Sequence, residues 1–285
     1  MTLLIAGGCS YADPNYVMYK KFDIETWPSL LAKKLGHDLI NTAQGGRGNR
    51  HIVNSVIDAV VENEEQDIVV VVAWSELYRL SYIDDTDLDH PIFLFSDAEY
   101  QRRKGKSKGL GNYFDFIEPG RQQLIKSITK MQDKTNQPPA EKAAALNSKM
   151  VIQSFKNIWY LQDFCQRRNI KMYHMHSFDA FAYDRTLADE IYGKHDTYSE
   201  VDKIIKQNIY YQRVQADNYY AGSDYNLYDD IEKNDMFIVD GNTINWHPNQ
   251  QGHKFIADRI DNFMQTGMRL SNNKTVHTYR GFIYD

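Results

Sequence analysis

Ser10 ends the triplet Gly8-Cys9-Ser10, just after the apolar run Leu3 to Ala6, and His247 stands before Pro248 near the other end of the chain. A serine hydroxyl is a weak nucleophile until a base takes its proton, and histidine is suited to that task near neutral pH. Between them lies the stretch Thr42-Ala43-Gln44-Gly45-Gly46-Arg47-Gly48-Asn49. Its glycines permit positive φ and let a backbone N–H approach a substrate oxygen closely. A nucleophile, a base and accessible amides are the materials of acyl transfer to water. Cys9 is a second thinkable nucleophile, although a free cysteine in such a place also serves as a small buried filler. The glycine loop has no Gly-Lys-Ser/Thr behind it and does not follow the Gly-x-Gly-x-x-Gly pattern, so a nucleotide site is not expected. Arg47 and Arg50 open a helix and could hold an anionic group. His174 and His176, two apart, share one face of a strand but lack a third ligand at a recognisable spacing. Neither a metal nor an organic cofactor is expected.

These groups need a frame that brings residue 10 to residue 247. Five short apolar runs read as strands: Leu3 to Ala6, Asp38 to Asn41, Ile68 to Trp74, Ile170 to Met175 and Met236 to Val239. The third is apolar and mostly β-branched at both parities, as expected of a central parallel strand covered on both faces. Helical periods alternate with the strands. One opens at Thr26, a good N-cap residue, with Pro28 in its first turn and Gly36 as its stop. Another carries Ile52, Val53, Val56, Ile57, Val60 and Val61 on one face. A long one runs over 139–168, and the last begins at Pro248 or Asn249 and passes through Phe263. The rhythm predicts a flavodoxin-like three-layer α/β/α fold with a five-stranded, mostly parallel sheet. Two large insertions, at about 80–141 and 178–234, and a tail at about 266–285 complete a single domain over residues 1–285. Helices are expected within the insertions around 124–131 and 200–212. Ligands of open α/β sheets bind beyond the carboxyl ends of the strands. Ser10, the glycine loop, Trp74-Ser75, His174 with His176, and Asp240 with His247 all fall at that edge. Trp74 and Trp246 there suit stacking on a sugar ring or closing an acyl pocket, and plain core packing equally.

The blocks in this order resemble the SGNH (GDSL-type) hydrolases, in the divergent form found among tailed-phage proteins. Gly8-Cys9-Ser10 matches the family's nucleophile block. Asn41 and Gly46 match its second block, and His247-Pro248 with Gly252-His253 behind them match its last. The resemblance touches all the core strands and leaves both insertions outside it. It implies Ser10 as nucleophile, His247 as general base, and the Ser10 and Gly46 amides as oxyanion donors. The family places its acid three residues before the histidine, where this chain has Ile244, so Asp240 is the nearest carboxylate for that role. The third block's asparagine is also missing from Ala73-Trp74-Ser75-Glu76, and loss of one oxyanion donor typically costs on the order of 10²–10³ in rate. Ser75 or Asn49 is the expected substitute. The implied activity is removal of a small acyl group, such as acetyl, from a carbohydrate or similar acylated small molecule. The alternative is a catalytically degenerate SGNH fold serving as a virion structural or binding protein, with virion or homo-oligomer contacts.

Composition bounds the reading. The 285 residues carry 33 Lys and Arg against 38 Asp and Glu, a net charge of −5. Non-specific nucleic-acid binders neutralise phosphates with excess basic residues, so no nucleic-acid partner is expected. Two cysteines make no disulfide framework. The longest apolar run, Ile68 to Trp74, is far short of the ~20 residues a membrane span needs. No basic n-region precedes Leu3, so no signal peptide and a cytoplasmic setting are expected. The tyrosine-rich stretch 183–228 reads as a binding surface.

Overall fold

The computed structural model describes residues 2–75, 77, 79–83, 89–93, 138–178, 203–214 and 226–267. Four strands form a parallel sheet in the order β2 (Asp38–Asn41), β1 (Leu3–Gly8), β3 (Ile68–Trp74), β6 (Lys171–His176). Alternation along each strand divides the core in two. Leu3, Ile5, Val70, Val72 and Trp74 face helices α3 (Asn49–Glu62) and α4 (Pro139–Arg167), through Ile52, Val56, Val60, Phe155, Ile158 and Leu161. Leu4, Ala6, Val71 and Ala73 face α2 (Trp27–Leu35) and α7 (Gln250–Thr266), through Trp27, Leu31, Ile256, Ile260 and Phe263. The result is three layers, helix on sheet on helix. Close packing sets Gly7: a Cβ there would lie 2.6 Å from Val56 Cγ2, so α3 can approach β1 only over a residue without one.

The chain leaves β1 in one direction to β2 and reaches β3 on the other side, so the strand order reverses at β1. The crevice beyond the carboxyl ends of such strands is where open α/β sheets bind ligands. Ser10 follows β1 directly.

Several expectations are corrected. The parallel sheet has four strands among the described residues, not five. The expected fifth strand forms, as β7 (Phe237–Asp240), but it pairs antiparallel with β8 (Thr243–Pro248) in a separate hairpin. The reason is local. Gly241, at φ +62°, and Asn242 make a two-residue turn between Asp240 and Thr243, so the chain folds straight back on itself. On the side of β6 away from β3, the described residues show an isolated parallel bridge from His176 to Asn226.

Thr26 takes the N-cap position of α2, yet its side chain makes no capping bond and its hydroxyl is buried without a partner. The first amide of that helix, at Trp27, instead donates to His253 Nδ1 of α7 at 3.1 Å. Gly36 ends α2 in the left-handed conformation, as expected.

Within the stretch expected as the first insertion, β4 (Arg79–Ile83) and β5 (Asp89–Phe93) form an antiparallel pair. Within the second lie α5 (Ile209–Val214) and α6 (Leu227–Lys233). The helix expected around 124–131, most of the tyrosine-rich stretch and the tail beyond Gly267 fall outside the described residues. A five-residue helix, α1 (Val17–Lys21), follows the nucleophile loop. No helix among the described residues is long and apolar enough to cross a membrane.

Candidate active site

Ser10 leaves the end of β1 in a tight turn in which the Cys9 carbonyl accepts from both the Ala12 and Asp13 amides. Its loop is stitched to the glycine loop after β2. Asn41 Nδ2 donates to the Ala12 carbonyl at 2.8 Å, and the Gly45 amide donates to Asp13 Oδ2 at 2.8 Å. The other Asp13 oxygen accepts from the Asn15 amide at 2.7 Å. Asp13 is thus a buried carboxylate that ties the nucleophile loop to the glycine loop. The glycine loop consequently lies against the nucleophile: a Cβ on Gly45 would sit 3.6 Å from the Ser10 Cβ. Gly46 adopts φ +79°, a conformation that favours glycine over any L side chain.

His247 arrives from the opposite end of the chain. In the β7–β8 ladder Phe237 pairs with Pro248 and Ile238 with Asn245, so Trp246 and His247 bulge out between successive pairs. Bulges re-aim side chains, and they are common beside active sites. The bulged Trp246 carbonyl accepts from the Tyr11 hydroxyl at 2.9 Å, which pins this strand to the nucleophile loop. His247 Nε2 lies 2.9 Å from Ser10 Oγ, and its Nδ1 lies 2.7 Å from Asn245 Oδ1. With the imidazole proton on Nδ1 and donated to Asn245, Nε2 accepts from the Ser10 hydroxyl. That tautomer follows from the amide oxygen, which can only accept. The Tyr16 ring stacks on the imidazole, with centroids 4.1 Å apart and planes 25° from parallel. Ser10, Tyr16 and Asn245 are half-buried and His247 is buried.

The other sequence-derived candidates fall elsewhere. Asp240 does not hold the imidazole. It lies on the exposed end of the hairpin, paired with Lys21 Nζ at 2.5 Å, and the group on Nδ1 is Asn245. Asn245 escaped the sequence reading because that search was for a carboxylate. Strand alternation was the available signal, since residues two apart in an extended chain share a side.

Asn49 and Ser75 engage each other. Asn49 Oδ1 accepts from the Ser75 amide at 2.9 Å and Asn49 Nδ2 donates to the Ser75 carbonyl at 3.3 Å, both residues being fully buried. This pair clamps the start of α3 to the end of β3, and it leaves the Asn49 amide committed to backbone rather than to an oxyanion. Trp74 is fully buried, and its indole donates to His174 Nδ1 at 3.1 Å, so it belongs to the core. Trp246 is half-buried, with its ring against Phe237.

Cys9 is wholly enclosed. His176 and His253 are sealed in as well. Burial disfavours their charged forms and pushes each down to about 3, and the neighbouring His247 adds to this at His253. Among the described residues no three His, Cys, Asp or Glu side chains converge as metal ligands.

No protein-family model matches the chain, and no curated protein does. Several solved structures resemble it distantly. An acetyl xylan esterase, AlAXEase, is 14% identical with a TM-score of 0.40, the match covering 90% of this chain and 97% of that one. The psychrotrophic esterase EstA from Pseudoalteromonas sp., in a structure inhibited by monoethylphosphonate, is 13% identical with a TM-score of 0.40, over 93% and 96%. A GDSL-like lipase from Bacteroides thetaiotaomicron is 10% identical with a TM-score of 0.39, over 94% and 89%.

Proposed function

We propose that this chain is an ester hydrolase that works through Ser10, His247 and Asn245. The observation that carries the reading is the run of contacts from Ser10 Oγ through both imidazole nitrogens to the Asn245 amide oxygen, at 2.9 and 2.7 Å. Those lengths lie within the reach a base needs to take a hydroxyl proton.

Ser10 Oγ bonds to the ester carbonyl carbon as its proton passes to His247 Nε2. The carbonyl oxygen takes up the negative charge, facing the Ser10 and Gly46 amides. Collapse of that intermediate breaks the ester C–O bond, and the departing alcohol takes the proton from Nε2. Water then attacks the acyl group on Ser10, giving its proton to Nε2, and the acid leaves as the proton returns to Ser10. The step needs no metal and no nucleotide.

The acyl group in this reading is small, such as acetyl, and is carried on a carbohydrate or a similar hydroxylated molecule. The half-buried ring of Trp246, next in the chain to His247, supports it, because such rings pack well against sugar faces.

The direct test is labelling by a fluorophosphonate, which reacts only with an activated hydroxyl. Wild type is expected to take up one label at Ser10, and Ser10→Ala none. Equal labelling of the two would overturn the assignment of Ser10, and no labelling of either would favour a binding role for the fold. Release of acetate from acetylated oligosaccharide, compared with hydrolysis of longer p-nitrophenyl esters, tests the acyl preference.

A further inference from the structure

A serine triad ordinarily sets a carboxylate on Nδ1, and its negative charge steadies the imidazolium that forms when the base takes a proton. Here, among the described residues, the group on Nδ1 is the neutral amide of Asn245. It can orient the ring, but it supplies no charge. Something else must favour the cation, or the base is weak.

We propose that Tyr16 is a positioning residue for His247 that takes over part of the missing carboxylate's role, by holding the imidazole flat and presenting the negative face of its ring to the developing cation. The inference rests on the Ser10–His247–Asn245 reading above.

Three contacts carry it. The Tyr16 and His247 rings stack at 4.1 Å and 25°, well inside the ~6 Å over which an aromatic face attracts a cation. The Tyr16 hydroxyl accepts a long hydrogen bond, 3.4 Å, from Asn245 Nδ2, so the same side chain touches both partners of the imidazole bond. Tyr16 is itself anchored. Its amide donates to the Asp13 carbonyl, and Asp13 binds the glycine loop through Gly45. Nucleophile loop, glycine loop and base are therefore fixed by one short segment.

Titratable side chains also flank the imidazole among the described residues. Tyr11 lies 5.5 Å away and Tyr19 6.2 Å away, the latter raised well above the usual tyrosine range by burial. His253 stays neutral until about pH 3. The Asp13 carboxylate is engaged by the Gly45 and Asn15 amides.

The test is a double-mutant cycle. Tyr16→Phe keeps the ring face and loses the hydroxyl, whereas Tyr16→Leu keeps bulk over the imidazole and loses the π face. Tyr16→Leu is expected to lower kcat about 3- to 30-fold with KM little changed, and Tyr16→Phe to stay within about 3-fold of wild type. In the Asn245→Asp background, where a carboxylate is restored, Tyr16→Leu is expected to cost markedly less. Equal losses in both backgrounds, or equal losses from Phe and Leu, would overturn the proposal, because a purely structural role produces them.

NMR titration of the His247 ring gives a readout that needs no turnover. Its midpoint is expected to fall in Tyr16→Leu and to hold in Tyr16→Phe, and an unmoved midpoint in Tyr16→Leu would also overturn it. Since the titration reads the imidazole alone, its outcome is separable from the labelling of Ser10.

Discussion

At the scale of single residues, the most informative substitution is at Asn245. An amide oxygen 2.7 Å from Nδ1 fixes the tautomer that leaves Nε2 free to accept. Asn245→Ala removes that restraint, and turnover is expected to fall at least about 10²-fold with substrate affinity little changed, by analogy with the loss seen when a triad ring is left in the wrong tautomer. Asn245→Asp places a carboxylate beside the imidazole and favours its charged form. The base must be neutral to act, so the acidic limb of the pH–rate profile is expected to move to higher pH. A limb that stays put in Asn245→Asp would remove Asn245 from the base's surroundings. That Ser10 and His247 fall at one edge was legible in the sequence, because one follows a recognisable strand and the other precedes a recognisable helix, and the two side chains do meet. Asn245 was not legible, because an acid was sought at fixed distances. Asp240 drew that search, and its carboxylate in fact meets Lys21.

At the scale of elements, the strands and helices were readable from apolar period, and their partners were less so. The apolar run before Asp240 reads as a strand, but nothing in its composition says that it abandons the sheet. That information sits in Gly241-Asn242, a two-residue turn whose signal was overlooked. The N-terminus of α2 teaches the same lesson. Thr26 had the right residue type for a cap, while the bond is made by His253, 226 residues away at the Trp27 amide. Trp74 and Asn49 are comparable: their residue types suit a binding site, and burial turns them into scaffold. The Asn49 clamp makes a testable case. Asn49→Ala would strip both partners from the buried Ser75 backbone groups, and leaving such groups unpaired costs about 1–3 kcal/mol. Chemical denaturation is expected to show a loss of that order. Stability within ~0.5 kcal/mol of wild type would mean that the two junctions are held by other contacts.

At the scale of the whole molecule, acid sensitivity follows from the enclosed histidines. His176 and His253 are neutral in the folded protein down to about pH 3 and regain their ordinary value of about 6.5 on unfolding. Between those limits the unfolded chain binds more protons, so stability rises with pH there and is lost as pH falls. Each histidine contributes a slope of at most about 1.4 kcal/mol per pH unit. Urea midpoints measured from pH 7 to pH 4 are expected to decline, and His253→Asn, which keeps an acceptor for the Trp27 amide, is expected to flatten the decline by one histidine's share. An unchanged slope in that variant would show that His253 titrates freely in the native state.

The Ser10–His247 contact joins positions 237 apart. During translation the hydroxyl is made long before the imidazole, and no shorter run of chain contains both. Acyl cleavage on this reading switches on only when the closing hairpin has docked, which makes turnover a stopwatch for the completion of folding. The same separation means that the polypeptide could be cut between the two halves of the machinery, each half inert by itself, with colour from a chromogenic ester returning only where the pieces meet.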